Sequence, residues 1–375
     1  MNIIVAPDSF KGSLSATEVA MTIKNALEEI AEDTVTIKPM ADGGEGTIEA
    51  ILSSTNGNAV SVSTSGPLGN PIDTYYAIID ENIAVIETAL HAGIIQVKEE
   101  DRDPNLTTTY GIGEAILDAL ERGCSSFIIG LGGSATNDGG LGMLQALGLE
   151  AYDEDGKKLG PFGQDLLNIH SINLSKLDPR LKNTHFQIAC DVDNPLCGDN
   201  GASAIYGPQK GATDEQITRF DDALDYFANL IEKEFNINVK NTPGAGAAGG
   251  LGFAFLVLNG QLESGASLVA KAIQLKKAIT NADLVITGEG KSDEQTLFGK
   301  APSHVADLSQ QYGKPCLLLS GSLGENNERL REKFAGCFSI TNRPLSLQEC
   351  MKNSKTLLSE QTKQIRTLIS YFGVR

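Results

Sequence analysis

Basic residues are scarce in this 375-residue chain, which has 30 lysines and arginines against 48 aspartates and glutamates and a net charge of −18. The acidic residues are spread along the chain and do not form a tail. Nucleic acids and anionic membranes both need a basic surface, so we predict neither as the main partner. A small anionic ligand stays compatible, because a few lysines or arginines can hold it locally.

The spacings of cysteine and histidine that are typical of metal sites are also missing. The six cysteines include no C-x-x-C pair, and the four histidines form neither H-x-x-x-H nor H-E-x-x-H. Structural zinc is therefore not predicted, and the cysteines are typical of thiols buried in a reducing cytosol.

Long apolar runs are absent too, since none approaches the roughly 20 residues that a membrane span needs. The chain opens on a strand-like segment, MNIIVAPDSF, without the basic region of a signal peptide. The length exceeds what one compact core usually accommodates, and 41% of the residues are apolar. We expect a cytoplasmic, globular protein of two domains.

The two ends of the chain share one pattern, in which a short apolar run leads through a polar turn into a helix-period segment. In the first helix the apolar stripe is predicted to contain Val19, Ile23, Ala26, Leu27 and Ile30. The same style returns after about Asn281 in ADLVITGEGKSDEQT, KPCLLLSGSLGE and GCFSITN. This order predicts a parallel sheet with helices on its faces.

The middle of the chain differs, because from about Asn58 apolar and polar residues alternate by two, as in antiparallel strands. Helix-like segments and further strands follow. We therefore predict an α/β domain made of residues 1–64 and 281–375, with residues 65–280 inserted as a second domain.

Five predicted strands end in loops that combine glycine with aspartate or glutamate: PDSFKGS, ADGGEGT, GGSATNDGG, DVDNPLCG and TGEGKSDEQT. In parallel α/β sheets such loops meet in a crevice where ligands bind. Glycine lets backbone N–H groups approach phosphate oxygens, and carboxylates serve as Mg²⁺ ligands or as a general base. Together with lysines that neutralise charge, these are the parts that phosphoryl transfer requires.

Three lysines, Lys11, Lys291 and Lys300, are the candidates for neutralising the transferring phosphoryl group, and Lys11 alternatively binds the substrate carboxylate. Asp42 and Glu45 are candidates for binding Mg²⁺ or a substrate hydroxyl.

Asp191 and Asp193 stand at i and i+2 of an extended segment, so both are expected to face the same side. That arrangement suits a Mg²⁺ ligand plus a base, and an Asx turn is the alternative.

The glycine-rich stretch from Gly130 to Gly142 is predicted to present bare amides to an anion. Ser134, Thr136, Asn137 and Asp138 are expected to line this phosphate or substrate loop, with helix capping as the alternative role of Asp138.

The loop TGEGKSDEQT supplies the remaining candidates from the domain formed by the chain ends. Glu289, Lys291 and Asp293 are expected to complete the opposite wall of the site, with Asp293 as a further Mg²⁺ ligand.

Two motifs imitate nucleotide-binding loops and fail on inspection. GEGKS, at residues 288–292, places the first glycine of a Walker-A loop on Val285. GAGAAG, at residues 244–249, follows no apolar strand, and Glu263 is too near to be the usual ribose-binding acid. We interpret it as a turn that opens a packed helix, with anion binding and close packing both left open. G-x-S-x-G, H-R-D and D-F-G are absent.

Seven stretches between residue 4 and about residue 302 carry a family resemblance: APDSFKGSLSA, ADGGEGT, GLGGSATNDGG, CDVDNPLCG, YGPQKGA, GAAGGLG and TGEGKSDEQTLFGKAP. At these loops the sequence closely resembles the bacterial type I glycerate kinase family, of the glycerate 2-kinase type.

This resemblance implies an ATP- and Mg²⁺-dependent kinase that converts D-glycerate to 2-phosphoglycerate, with 3-phosphoglycerate as the alternative product. It also implies a Rossmann-like three-layer domain with a second, mixed-sheet α/β domain inserted and the active site in the cleft between them. It leaves a homodimer open. Within the matching stretches, the further candidate substrate- and phosphate-binding residues are Ser9, Ser13, Gly43, Gly44, Gly133, Lys210, Gly249 and Gly250.

Two other functions stay open at this point. The G-x-G-x-x-G pattern and the α/β order are compatible with a nicotinamide-dependent hydroxyacid dehydrogenase. A non-catalytic protein that binds a nucleotide or a hydroxyacid is the other alternative, since a fold alone does not establish activity.

Overall fold

A computed structural model of the chain describes residues 1–325 and 327–372. The chain divides into two compact units. The first comprises Met1–Asp42, Glu49–Thr55 and Ala266–Arg375, and the second comprises Gly43–Ile48 and Asn56–Gly265. The domain boundaries predicted from the sequence, and the predicted active-site cleft between the two domains, remain predictions.

The strands of the described residues are, in chain order, β1 (Asn2–Val5), β2 (Thr34–Ile37), β3 (Gly57–Ser65), β4 (Pro71–Ile79), β5 (Ile83–Glu87), β6 (Ser126–Gly130), β7 (Glu150–Tyr152), β8 (Ser171–Asn173), β9 (His185–Ala189), β10 (Gln261–Glu263), β11 (Leu284–Thr287), β12 (Lys291–Ser292), β13 (Cys316–Ser320), β14 (Ser322–Leu323) and β15 (Gly336–Ser339).

The α-helices of the same residues are α1 (Ala16–Glu28), α2 (Thr47–Leu52), α3 (Thr88–Ala92), α4 (Tyr110–Glu121), α5 (Leu141–Ala146), α6 (Gly163–Leu166), α7 (Ala202–Tyr206), α8 (Asp214–Phe235), α9 (Ala247–Val257), α10 (Gly265–Ala272), α11 (Leu275–Thr280), α12 (Ala301–Gln311), α13 (Glu328–Lys333), α14 (Leu347–Lys352) and α15 (Ser354–Phe372). Within the described ranges, no helix is both long enough and apolar enough to cross a membrane.

The first unit is built on a parallel sheet with the order β15-β13-β11-β1-β2. Numbered along the chain and read from the β2 edge, these strands run 2-1-3-4-5, which is a doubly wound arrangement. Helix α1 packs against β1 and β2, and α12 packs against β11 and β13. The predicted Rossmann-like α/β fold is confirmed, and the order places a topological switch point between β1 and β11.

Helix α1 shows how local sequence sets the geometry after β1. Ser15 is its N-cap and forms a reciprocal capping box with Glu18. Val19 and Ile23 are fully buried in a core cluster that also contains Leu357 and Leu358 of α15. The prediction that Ile30 continues this stripe is wrong, because the helix ends at Glu28 and 42% of Ile30 is exposed.

The second unit contains a mixed sheet with the order β10-β9-β6-β5-β4-β3. β3 and β4 form the antiparallel hairpin that the alternating sequence predicts, while β5, β6, β9 and β10 are parallel. The carboxyl ends of these four strands therefore lie along one edge of the sheet. Beneath it, Phe127, Phe186 and Phe255 pack their rings in the core, with centroids of neighbouring rings 5.1 and 5.5 Å apart.

Glycine lets two loops of the second unit pack backbone against backbone. A Cβ atom on Gly249 would lie 2.0 Å from the Thr136 carbonyl oxygen, and one on Gly250 would lie 2.7 Å from the Gly139 Cα atom. The Gly139 N–H donates to the Gly249 carbonyl at 2.9 Å. These glycines therefore serve close packing between loops 130–142 and 244–252.

We expect Gly249→Ala to lower the free energy of unfolding by about 2–5 kcal/mol, because the added Cβ overlaps a carbonyl and the residue has a φ of +72°. The matched control is Gly156→Ala. Gly156 has a φ of +76° with nothing within 4 Å, so this change isolates the backbone cost of about 1 kcal/mol. Urea unfolding of both variants measures the difference, and equal losses would contradict the packing role of Gly249.

Candidate active site

Three carboxylates of the first unit follow the strands around the switch point. Asp8 follows β1, Asp42 follows β2 and Glu289 follows β11. The Asp8 carboxylate accepts the Ser9 N–H at 2.6 Å, and the Asp8 N–H donates to the Gly288 carbonyl at 2.8 Å. Burial, the field of Asp42 and the weaker field of Glu289 raise the pKa of Asp8 to about 7. A carboxyl group with this pKa exchanges a proton near neutral pH.

Glu289 is buried and held by hydroxyl groups. It accepts hydrogen bonds from Ser292 Oγ at 3.1 Å and from Thr296 Oγ1 at 2.6 Å, and its Oε2 lies 3.8 Å from Lys300 Nζ. Ser292 also shares a hydrogen bond of 2.7 Å with Ser320 at the end of β13. Burial raises the pKa of Glu289, while Thr296, Lys300 and Ser292 oppose this. The carboxylate thus fixes the loop after β11.

The loops after β1 and β11 approach each other because of Gly290. A Cβ atom at this position would lie 3.3 Å from the Lys11 backbone nitrogen and 3.4 Å from the Phe10 Cα atom. The Lys11 side chain is exposed, as is that of Lys291, whose Nζ lies 3.7 Å from Asp293 Oδ2. Both ammonium groups are therefore accessible to solvent, and a lysine must be accessible to bind a phosphoryl group.

Two predicted residues of the first unit have local structural partners. The Ser13 hydroxyl forms a 2.6 Å hydrogen bond with Ser354 at the start of α15. The Asp293 carboxylate accepts the Gln295 N–H at 2.9 Å and caps the 3₁₀-helix Glu294–Leu297.

In the second unit, the segment that contains Gly43 and Gly44 lies on the carboxyl ends of β6 and β9. A Cβ atom on Gly43 would lie 2.4 Å from Ala189 Cβ, and one on Gly130 would lie 2.4 Å from the Gly43 carbonyl oxygen. A Cβ atom on Gly132 would lie 2.7 Å from the Gly44 Cα atom. Glycine on both sides thus brings ADGGEGT against GLGGSATNDGG, with Glu45 exposed.

Most of the glycine-rich loop is buried. Within residues 131–140, only Gly132 and Gly133 are not buried, and Thr136 and Asn137 have almost no exposed surface. Asn137 Nδ2 donates to Ser203 Oγ at 2.9 Å. The predicted presentation of bare amides is therefore limited to the tip of the loop, and the Thr136 and Asn137 side chains lie behind it.

Asp138 precedes the N-cap of α5, which is Gly140, and its carboxylate binds backbone amides at the start of that helix. Its carboxylate accepts the Thr109 N–H and hydroxyl at 2.9 and 2.7 Å, the Gly140 N–H at 3.0 Å and the Gly142 N–H at 3.3 Å. Burial raises its pKa, and these hydrogen bonds oppose the rise. Asp138 therefore ties the start of α5 to the start of α4.

Lys210 is also buried, with 2% of its surface exposed. Its Nζ donates to the Thr136 carbonyl at 2.6 Å and to Ser134 Oγ at 3.0 Å. Burial lowers the pKa of Lys210 to about 7, against the opposing field of Asp138. The ammonium group lies behind the loop.

Asp191 and Asp193 are exposed on an irregular segment after β9. Asp191 Oδ1 accepts the Gly265 N–H at 3.1 Å. Across residues 1–325 and 327–372, no group of three histidine, cysteine, aspartate or glutamate side chains is arranged to hold a metal ion. Asp191 and Asp193 belong to the second unit and Asp293 to the first, and the assignment of these three aspartates to Mg²⁺ stays a prediction.

Sequence reasoning missed two carboxylates, Asp8 and Glu87. Glu87 is buried at the end of β5 and accepts the Ile48 N–H at 2.6 Å and the Gly46 N–H at 3.3 Å. The sequence signal that could have identified both residues is an acidic residue at, or just after, the end of an apolar strand. Glu87 positions the segment that carries Glu45.

The G-x-G-x-x-G stretch is a turn, and no strand precedes it. Ala248, Gly249 and Gly250 have positive φ angles, so α9 is regular only from Leu251 onward. The interpretation as a turn that opens a packed helix is confirmed.

Comparison with known proteins supports the kinase interpretation over the dehydrogenase alternative. The model of the family described as the glycerate kinase family matches residues 3–370. The chain belongs to the glycerate kinase family. A relative from Halalkalibacterium halodurans, named glycerate kinase, is 43% identical over 373 residues, which is 98% of each chain.

Two further relatives agree with this membership. A protein from Escherichia coli K12, named glycerate 2-kinase, is 47% identical over 329 residues, covering 87% of this chain and 86% of its own. A crystal structure assigned to glycerate kinase 2 of Salmonella typhimurium LT2 superposes with a TM-score of 0.90 at 42% identity, covering 99% of this chain and 98% of the other.

The raised pKa of Asp8 predicts a measurable dependence of stability on pH. The folded carboxyl group stays protonated up to about pH 7, whereas in the unfolded chain it ionises near 3.8. The folded state therefore binds more protons between these values, and the contribution of Asp8 to stability decreases as the pH rises from about 4 to about 7. We expect the stability of the wild type, relative to Asp8→Asn, to fall across this window in urea titrations. A difference that is constant with pH would contradict the assigned environment.

Proposed function

We propose that this protein transfers the γ-phosphoryl group of ATP to D-glycerate, giving 2-phosphoglycerate and ADP. The observation that carries the proposal is the 47% identity to the E. coli protein named glycerate 2-kinase. The carboxyl-edge loops support it, since they supply carboxylates, exposed lysines and glycine-bearing turns. A cytoplasmic location and a homodimer stay predictions.

Anionic groups of the substrates require cations and N–H donors. In the loops of the first unit Lys11 and Lys291 are exposed, and Lys300 is partly exposed. We assign them to phosphoryl oxygens or to the glycerate carboxylate, where charge-assisted contacts are worth the most once water is excluded.

Mg²⁺ neutralises charge on the transferring phosphoryl group when it is bound. The ion usually keeps several waters and takes only one or two carboxylates in addition to the phosphates. Carboxylate oxygens are suitable donors for this mode, and Asp42, Asp191 and Asp193 have exposed side chains. The one or two protein ligands would come from four candidates: Asp42 and Asp293 in the first unit, and Asp191 and Asp193 in the second.

The base that accepts the glycerate hydroxyl proton has two candidates. Asp191 is the predicted one, and it is exposed and bonded to the Gly265 amide. Asp8 is the second, because its environment brings its pKa close to neutral pH. A base need not bind the ground state strongly, so its loss should affect turnover more than KM.

We expect the Asn variant of the true base to lower kcat by about 10²- to 10⁴-fold with little change in KM. Asp8→Asn and Asp191→Asn are compared with Asp73→Asn, an exposed aspartate on β4, as the control. If a variant keeps normal turnover, the aspartate that it replaces is excluded as the general base. If Asp8 is the base, the acidic limb of the kcat/KM profile near pH 7 should disappear in Asp8→Asn.

The proposal as a whole is tested by incubating the protein with Mg-ATP and measuring ADP release with and without D-glycerate. Phosphorus NMR of the product distinguishes 2-phosphoglycerate from 3-phosphoglycerate. ADP release that does not depend on glycerate would refute the proposed substrate.

A further inference from the structure

The tip of the glycine-rich loop, residues 133–135, is held from two sides, and Gly133 is its exposed residue. The Ile94 N–H donates to the Gly133 carbonyl, and the Ala135 N–H donates to the Ala92 carbonyl, both at 2.8 Å. On the other side, Lys210 Nζ donates to Ser134 Oγ at 3.0 Å. The turn 133–135 therefore has a defined conformation, in which Gly133 has a φ of +75°.

Three donors at this tip have no acceptor among the residues that the structure describes. They are the backbone N–H groups of Gly133 and Ser134 and the Ser134 hydroxyl. The hydroxyl oxygen already accepts a hydrogen from Lys210, so its own proton must point elsewhere. Successive N–H groups around a residue with positive φ form a concave arrangement that binds anionic oxygens. The buried ammonium of Lys210 adds positive charge directly behind them.

We infer that the Gly133–Ser134 tip binds an anionic oxygen of the substrates, and that Lys210 is a positioning residue that acts through Ser134. The inference rests on the proposed function, which supplies two sources of such an oxygen, the glycerate carboxylate and the ATP phosphates. Lys210 itself is too deeply buried to be the primary contact. Its hydrogen bonds to Ser134 and Thr136 set the position of the tip instead.

The electrostatics of Lys210 agree with this role. Its Nζ has a hydroxyl and a carbonyl as hydrogen-bond acceptors, and the charged group whose field acts on it is Asp138. Burial without a closer counter-charge lowers the pKa of Lys210 to about 7. An anion bound at the tip stabilises the charged form, so binding at this site should weaken as the pH rises above about 7.

A double-mutant cycle tests the coupling between the two side chains. We expect Lys210→Met and Ser134→Ala each to raise the KM of the same substrate by about 10- to 100-fold, the range for a hydrogen bond to a charged group. The double variant should be little worse than the worse single variant, because Lys210 acts through Ser134. A rise in the KM of glycerate identifies the carboxylate as the occupant, and a rise in the KM of ATP identifies a phosphate. Additive losses, or normal KM values for both substrates in Ser134→Ala, would overturn the inference.

Controls separate positioning from folding. Lys157→Met removes an exposed lysine of the second unit and should leave both KM values unchanged. Urea unfolding of every variant checks that the fold is intact. If Lys210→Met does not fold, the pH profile decides. The wild-type KM of the affected substrate should rise above about pH 7, and this rise should be lost in Ser134→Ala. A rise that persists in Ser134→Ala would count against the inference.

Failure of the proposed function gives a different result. In that case the wild type shows no glycerate-dependent ADP release, and binding is measured directly from the thermal shift with inorganic phosphate or with D-glycerate. A rise in Tm that is present in the wild type and lost in Ser134→Ala supports the anion site even without turnover. Equal shifts in both proteins, or no shift in either, would refute it.

Discussion

Close approach of one backbone to another is the constraint on which the rest of this structure depends. At the carboxyl edge of the second unit, the Gly43–Gly44 segment lies directly on Gly130 and Gly132, where any side chain would collide. Behind the loop, Gly249 and Gly250 make the same kind of contact with residues 136–139. Such contacts are nearly rigid, because protein interiors are close-packed and a displaced backbone has no free space to enter. The polar side chains of the edge are therefore placed by backbone contacts more than by their own hydrogen bonds.

Buried ionisable groups are the second organising feature. Each unit holds charges where desolvation works against ionisation: Asp8 and Glu289 in the first, Asp138 and Lys210 in the second. Asp138 and Glu289 are surrounded by hydrogen-bond donors, so they hold the loops in place. Asp8 has fewer donors and two acidic neighbours, which leaves its proton exchangeable near neutral pH. Groups of the same type thus have different roles because of their surroundings.

The α/β class and the strand-end loops could be predicted from the sequence, because apolar runs that end in glycine and acidic residues are a local signal. Ile30 could not be placed correctly, because the end of a helix depends on its cap and its packing. The direction of individual side chains could not be predicted from the sequence either. Ser13 bonds to Ser354, 341 positions later, and Asp138 bonds to Thr109, 29 positions earlier. Such partners are set by tertiary packing and leave no trace in residue spacing. The large pKa shift of Asp8 arises from burial and from the fields of Asp42 and Glu289, which are far away in the chain, so the motif PDSFKGS alone does not predict it.

The path of the chain has a consequence for dissection of the molecule. The second unit takes residues 43–48 from a segment whose flanks, up to Asp42 and from Glu49 to Thr55, belong to the first. A gene fragment encoding only residues 56–265 would lack the short stretch that covers Ala189 and Gly130 and that Glu87 holds through the amides of Gly46 and Ile48. The carboxyl edge of its sheet would then be uncovered at Ala189 and Gly130, and Glu87 would lose its hydrogen bonds to Gly46 and Ile48. Neither unit is a single continuous stretch of sequence. To express the second unit alone, a gene would have to join residues 43–48 to the fragment 56–265.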